Sequence, residues 1–384
     1  MAATVEPTTQ APAERVSTLE LFFDLVFVFT VTQLTAVLTH DLSLRSFGQV
    51  VVMLALIWWM YGGYAWLTNS ISTRGLRQRV ILLGGMAGYL VLALAVPGAF
   101  HGSGLAFGVG YLIVVAVHSS LFIWTASAQS SRAFLGIAPY NLFNALLVVV
   151  GGAVGGTAQA VLWTVAAVLE WSTPWIANRE AQSGFAIAPA HFVERHGLVV
   201  IVAIGESVVA IGIGAAGLAV DAELVLVAVL GLLLSAGLWW AYFGADDDEQ
   251  AERALAAAPA ARQPWIALEG FGLAHYVLLL GIVLVAAGLK KATGHPYDAL
   301  TLGQALTLGG GVALFLAADV WFRRVLSLGR SAHRALAALL ALATIPVGSE
   351  IAAVAQLGAL VVILAVALAG EGVARSRPTE QHRL

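Results

Sequence analysis

Glu20 and Asp24 stand one helical turn apart inside an otherwise apolar stretch, Leu19-Glu-Leu-Phe-Phe-Asp-Leu-Val-Phe-Val-Phe-Thr-Val-Thr-Gln-Leu. At positions i and i+4 both carboxylates lie on one helical face. A carboxylate at the centre of a bilayer costs about 2.5–3.5 kcal/mol on insertion scales, so such residues face a bundle interior or a wet cavity. The chemistry they offer is reversible protonation or cation coordination along a membrane path. Glu20, Asp24, Thr32, Thr35 and Thr39 fall within an arc of roughly 120° on a helical wheel, a polar stripe through most of the span. Glu20, near the start of that span, also suits a first turn, where the helix dipole favours an acid.

A second group follows at His191-Phe-Val-Glu-Arg-His-Gly197, in a segment that continues to Gly205-Glu206-Ser207. His191, Glu194, Arg195 and Glu206 share another arc of about 120°. Glu206 is expected near mid-membrane, and Arg195 offers a buried counter-charge to Asp24. Glu194, Arg195 and the histidines His191 and His196 are expected to form an interfacial ion-pair network. Their order on one helix differs from the Glu-x-x-His pattern of bundle metal sites, so no metal is expected. Glu269, His275, Asp319, Asn141, His118 and Asn144 are further intramembrane polar groups, each alone more often interhelical glue than a ligand site. The acidic run Asp246–Glu249 lacks the ligand spacing of a calcium loop and is expected to be a solvated face. No phosphate-binding loop, dinucleotide fingerprint or nucleophile elbow occurs, so neither a cofactor nor ATP-driven transport is expected.

The elements that must hold these residues are membrane spans. The 384 residues are 60% hydrophobic and only 11% charged, far outside the soluble range. The net charge of -3 implies no nucleic-acid partner, and the absence of cysteine excludes disulfides and thiolate ligands. Residues 1–16 are polar, expected to be disordered, and lack the features of a secretory signal, so the first apolar helix should be retained. Apolar runs predict an all-α polytopic membrane protein with about twelve spans, near 17–39, 46–68, 77–98, 103–127, 132–152, 158–177, 193–217, 221–243, 264–289, 299–321, 332–349 and 351–370. Ten spans is the alternative, because the connections at the fifth, sixth, eleventh and twelfth are short. With the N-terminus inside, all but Arg45, Lys290 and Lys291 of the 19 basic residues fall on the cytoplasmic side. Both termini, including the tail 371–384, are therefore expected in the cytoplasm.

Ile57-Trp-Trp-Met-Tyr-Gly-Gly63 in the second span and Leu238-Trp-Trp-Ala-Tyr-Phe-Gly244 in the eighth resemble each other. Gly88-Tyr89 against His275-Tyr276, and Glu14-Arg15 against Glu194-Arg195, repeat in the same order. These matches predict two tandem six-helix halves, 17–177 and 191–370, joined by a linker at 178–190. An even number of spans per half gives a parallel repeat about an axis along the membrane normal, with Glu206 corresponding roughly to Asp24. Gly84-xxx-Gly88, Gly104-xxx-Gly108 and Gly151-xxx-Gly155 suit close helix packing within one chain, with homodimerisation as the alternative.

Glu20-Leu-Phe-Phe-Asp-Leu-Val-Phe-Val with Thr32-Gln-Leu, and His191-Phe-Val-Glu-Arg-His-Gly-Leu-Val-Val-Ile-Val-Ala-Ile-Gly-Glu-Ser-Val, resemble the hallmark motifs of the low-temperature-requirement protein A family of bacterial membrane proteins. The similarity covers about residues 14–370. It implies a role in growth in the cold and draws attention to Glu20, Asp24, His191, Glu194, Arg195, Gly205 and Glu206, but carries no biochemical activity across.

The leading expectation is a secondary transporter, or a proton or cation permeation protein, of the bacterial inner membrane. Asp24 and Glu206 would be its protonation sites, and a small solute its coupled partner. The alternatives are an intramembrane lipid-modifying enzyme using Glu20, Asp24, His191 and Glu194, and a sensor or scaffold without turnover.

Overall fold

The computed structural model describes residues 15–70, 75–125, 134–176, 187–244 and 247–376, and every regular element among them is helical. The helices are α1 Thr18–His40, α2 Leu44–Ser70, α3 Leu76–Ala95, α4 Gly104–Thr125, α5 Ala138–Val154 and α6 Gly156–Ile176. They continue with α7 Pro189–Gly214, α8 Ala222–Phe243, α9 Asp247–Ala257, α10 Gln263–Gly294, α11 Leu302–Val325, α12 Ala332–Glu350 and α13 Ala353–Ser376. Most of the expected linker, and the acid Asp246, lie outside the described residues.

Ten of these helices are long and apolar enough to cross a membrane: α1–α4, α7, α8 and α10–α13. Each of the twelve apolar runs contains a helix among the described residues, but α5, at 17 residues, is short, and α6, though continuous through Pro174, carries the polar Gln159 and Glu170. The local reasons for helix are plain. Ser17 and Glu20 form a reciprocal capping box at the start of α1, and Thr301 with Gln304 does the same for α11. Large apolar side chains such as Leu25, Leu94 and Val366 remain exposed, a surface that only lipid can cover favourably.

α1 packs on α3, α3 on α4, α4 on α5, α5 on α6, α6 on α2 and α2 on α1. The order recurs in the second group: α7 on α10, α10 on α11, α11 on α12, α12 on α13, α13 on α8 and α8 on α7. The two groups meet where α1 and α2 touch α7 and α10. Glycines set the closest approaches. A side chain on Gly110 would begin 3.0 Å from the Gly88 carbonyl oxygen, and one on Gly281 would begin 2.9 Å from that of Gly311. Backbones this close leave room only for hydrogen at those positions.

Two features depart from the sequence expectation. The acidic stretch is a solvated face only in part: Asp248 and Glu249 are exposed, but Asp247 opens α9 and is buried, together with Ala251 and Leu255 on the same face. The reason is a pair of buried arginines that require an acid, described below. In addition, Ala267–Ala274 within α10 winds as a π-helix, a wider turn that concentrates at functional sites.

Candidate functional site

α1, α2 and α7 converge at the end of the bundle where α1 begins, and there Arg195 is wholly enclosed. Its guanidinium donates to Glu20 Oε1 at 3.0 Å, to Thr68 Oγ1 at 2.5 Å and to Asp24 Oδ1 at 3.3 Å. Tyr61 donates its hydroxyl to the same Asp24 oxygen at 3.0 Å. The rings of Phe23 and Tyr61 lie 5.4 and 5.6 Å from the guanidinium carbon, within cation–π range. Glu20 is shared. Its second oxygen accepts from the Ser17 backbone and hydroxyl, each at 2.8 Å, while Oε1 also meets His191 Nε2 at 3.2 Å. The expected pairing of Arg195 with Asp24 is thus present, and Glu20 serves both the helix cap and the ion pair.

This cluster is incompletely satisfied among the described residues. Asp24 Oδ2, Arg195 Nε and His191 Nδ1 are buried without a hydrogen-bond partner. Such atoms cost about 1–3 kcal/mol each, so they mark a place where water, a proton or a substrate atom belongs.

Glu206 occupies a different level. It is buried and accepts from the Thr32 hydroxyl at 2.7 Å. Thr32 lies eight residues beyond Asp24 on the same helix, about 12 Å further along. The two acids therefore lie at different depths on the α1–α7 seam, not side by side. Thr35, one turn on, is buried with its hydroxyl unpartnered, and Thr39 accepts from Lys290 of α10 at 3.4 Å. Glu194 does not join the Arg195 cluster. It is exposed beside the cluster, where it accepts from the Val16 backbone at 3.2 Å.

The secondary candidates scatter. His275 receives Tyr242 at 2.7 Å and has its Nδ1 2.8 Å from the Gly270 carbonyl, a bond made across the π-helix. Glu269 is exposed and accepts from Trp321. Asn141 faces the Trp59 indole at 3.4 Å, whereas both amide atoms of Asn144 are unpartnered.

Asp319 belongs to a second charged cluster. Arg334 donates to it at 2.6 Å, chelates Glu371 at 2.9 and 3.0 Å, and reaches Asp247 at 3.3 Å and the Ala241 carbonyl at 2.5 Å. Arg323 pairs with the same oxygen of Asp247 and donates to the Leu328 carbonyl. Tyr61 and Thr68, together with Arg323, Arg334, Asp247 and Glu371, are absent from the sequence-based candidates. The signal for Tyr61 was present, since it sits in the repeated Trp-Trp-x-Tyr motif; the others lie at helix ends remote from one another in the chain.

A family model for bacterial low temperature requirement A proteins matches residues 15–369. An uncharacterized protein of Rhizobium meliloti (strain 1021) is 31% identical over 318 residues, covering 80% of this chain and 77% of that protein.

Proposed function

This chain belongs to the low temperature requirement A family of bacterial membrane proteins, and we propose that it is a secondary transporter that moves protons or small cations along the seam between its two helix groups. The observation that carries this reading is the order of polar groups on that seam. Glu20, Asp24 and Arg195 lie at one end, Thr32 with Glu206 midway, and Thr39 with Lys290 towards the other. Glu20 and Thr39 are nineteen residues apart, about 29 Å along a helix, which is close to the hydrocarbon thickness of a bilayer.

In this mechanism Asp24 alternates between Arg195 and a proton. Its free Oδ2 is the atom that receives the proton, and Arg195 then stays paired with Glu20. Glu206 forms no ion pair among the described residues and is the second relay point. We further propose that all twelve helices span, with both termini in the cytoplasm of a bacterial inner-membrane protein. Two tandem halves, 17–177 and 191–370, explain why the packing order of α1–α6 recurs in α7, α8 and α10–α13.

The test is inward proton movement into dye-loaded proteoliposomes under an inside-negative potential, comparing the wild type with Glu206→Gln. A rate at least tenfold lower in the variant supports the pathway. Equal rates contradict it, as does a wild-type rate no greater than that of empty liposomes.

A further inference from the structure

Beside the charged seam lies a cavity enclosing about 1030 Å³ of empty space, including its open mouth, that the proton pathway does not use. α2, α4, α5 and α6 of the first group wall it on one side, and α7 with the π-helical part of α10 close it on the other. Its surface is mostly apolar and rich in aromatic rings. Trp58, Trp59, Trp66, Trp171 and Trp265 line it together with Phe122, Phe134, Phe192 and Phe271.

Three of the indoles have their N–H groups engaged elsewhere, Trp58 on Gly272 O at 2.8 Å, Trp59 on Asn141 and Trp171 on Ala55 O. Those rings therefore offer faces, which favour stacked or edge-on aromatic partners. The Trp58 anchor depends on the π-helix that carries Gly272.

One side chain in this wall has both of its polar atoms buried without a partner among the described residues. His118 is 3% exposed, and although the Gly63 backbone lies beside its ring, neither nitrogen has a hydrogen bond of good geometry among the described residues. An imidazole left so costs folding stability unless something else supplies its partner. Among the described residues the lining contains no Asp, Glu, Lys or Arg, so they offer an ionic guest no counter-charge there. At Gly62 a Cβ would meet no atom within 4 Å, and this glycine keeps part of the cavity open.

We propose that this cavity binds a neutral, planar aromatic molecule bearing one hydrogen-bonding group, stacked among the tryptophans and bonded to His118. The proposal stands apart from proton movement along the seam. It is tested with full-length protein in phosphatidylcholine nanodiscs, by equilibrium dialysis of 1-naphthol after subtracting partition into empty nanodiscs. Naphthalene, benzyltrimethylammonium and 1-naphthoate serve as apolar, cationic and anionic comparators.

The expected result is a saturable 1-naphthol component that Gly62→Leu abolishes. His118→Phe should weaken 1-naphthol about tenfold, the worth of one hydrogen bond, and leave naphthalene unchanged. His118→Phe should also fold at least as well as the wild type, because it removes a buried unsatisfied group, so this arm remains decisive if Gly62→Leu is misfolded. Absence of a saturable component overturns the proposal. So does a component untouched by Gly62→Leu in folded protein, equal loss of naphthol and naphthalene on His118→Phe, or tighter binding of either ion than of 1-naphthol.

Discussion

Two buried arginines, Arg195 and Arg334, sit at the same end of the bundle and are solvated in opposite ways. Arg334 is saturated: its three nitrogens reach Asp319, Asp247, both oxygens of Glu371 and the Ala241 carbonyl. It ties α8, α9, α11, α12 and α13 together within one group of helices. Arg195 reaches Glu20, Asp24 and Thr68, keeps Nε unpartnered, and bridges the two groups. Each cluster holds one more carboxylate than arginine, so formal charge does not separate them. Saturation does. The contrast is in the central guanidinium: every nitrogen of Arg334 is bonded, although Arg323 Nε beside it is buried without a partner. Arg195 itself keeps a spare donor next to the spare Oδ2 of Asp24 and can exchange partners at lower cost.

The largest effect should come from Arg334→Met, which takes the arginine from Asp319 and Glu371 at once and leaves Asp247 with Arg323 alone. A loss of about 3–5 kcal/mol is expected, seen as disappearance of the monodisperse species in detergent. Arg195→Gln should cost less, about 2–3 kcal/mol, because Glu20 retains Ser17 and His191 and Asp24 retains Tyr61. Adding Asp24→Asn to Arg195→Gln should recover part of that loss in a thermal melt, whereas adding Asp319→Asn to Arg334→Met should recover little. Equal recovery at the two sites would erase the distinction. Glu206→Gln should melt within about 0.5 kcal/mol of the wild type, since the amide oxygen can still accept from Thr32.

A surface acid sets the lower end of the scale. Asp41, just beyond α1, is fully exposed, and the hydroxyls of Ser46 and Ser43 hold its carboxyl below the ordinary value of 3.8. A depressed folded-state pKa adds stability above that ordinary value and loses it as pH falls through the folded value. The small gap in melting temperature between wild type and Asp41→Asn should therefore be constant from pH 8 to 5 and close below about pH 4.

How much of this was legible depends on the range over which each residue acts. The helices are readable because apolar runs of about twenty residues have few other uses. The Asp24–Arg195 pair is readable because a charge in each of two apolar segments demands a partner. The hydroxyl that Glu206 meets is not, since only the side-chain packing of α1 on α7 decides that it is Thr32 among the threonines of the stripe. Asp247 misleads for a related reason: an acidic run looks solvated until Arg323 and Arg334, distant in the chain, are seen to enclose its second residue. The π-helix at 267–274 leaves no pattern in composition, because its apolar residues would suit an α-helix equally well.

The central claim is that the Arg195 cluster works and the Arg334 cluster holds. The direct measurement is the initial rate of potential-driven proton entry into proteoliposomes for Asp24→Asn and Asp319→Asn, each normalised to folded protein. The account predicts at least a tenfold loss for Asp24→Asn and a wild-type rate for Asp319→Asn. A wild-type rate in Asp24→Asn, or an equal loss in both variants, would contradict it.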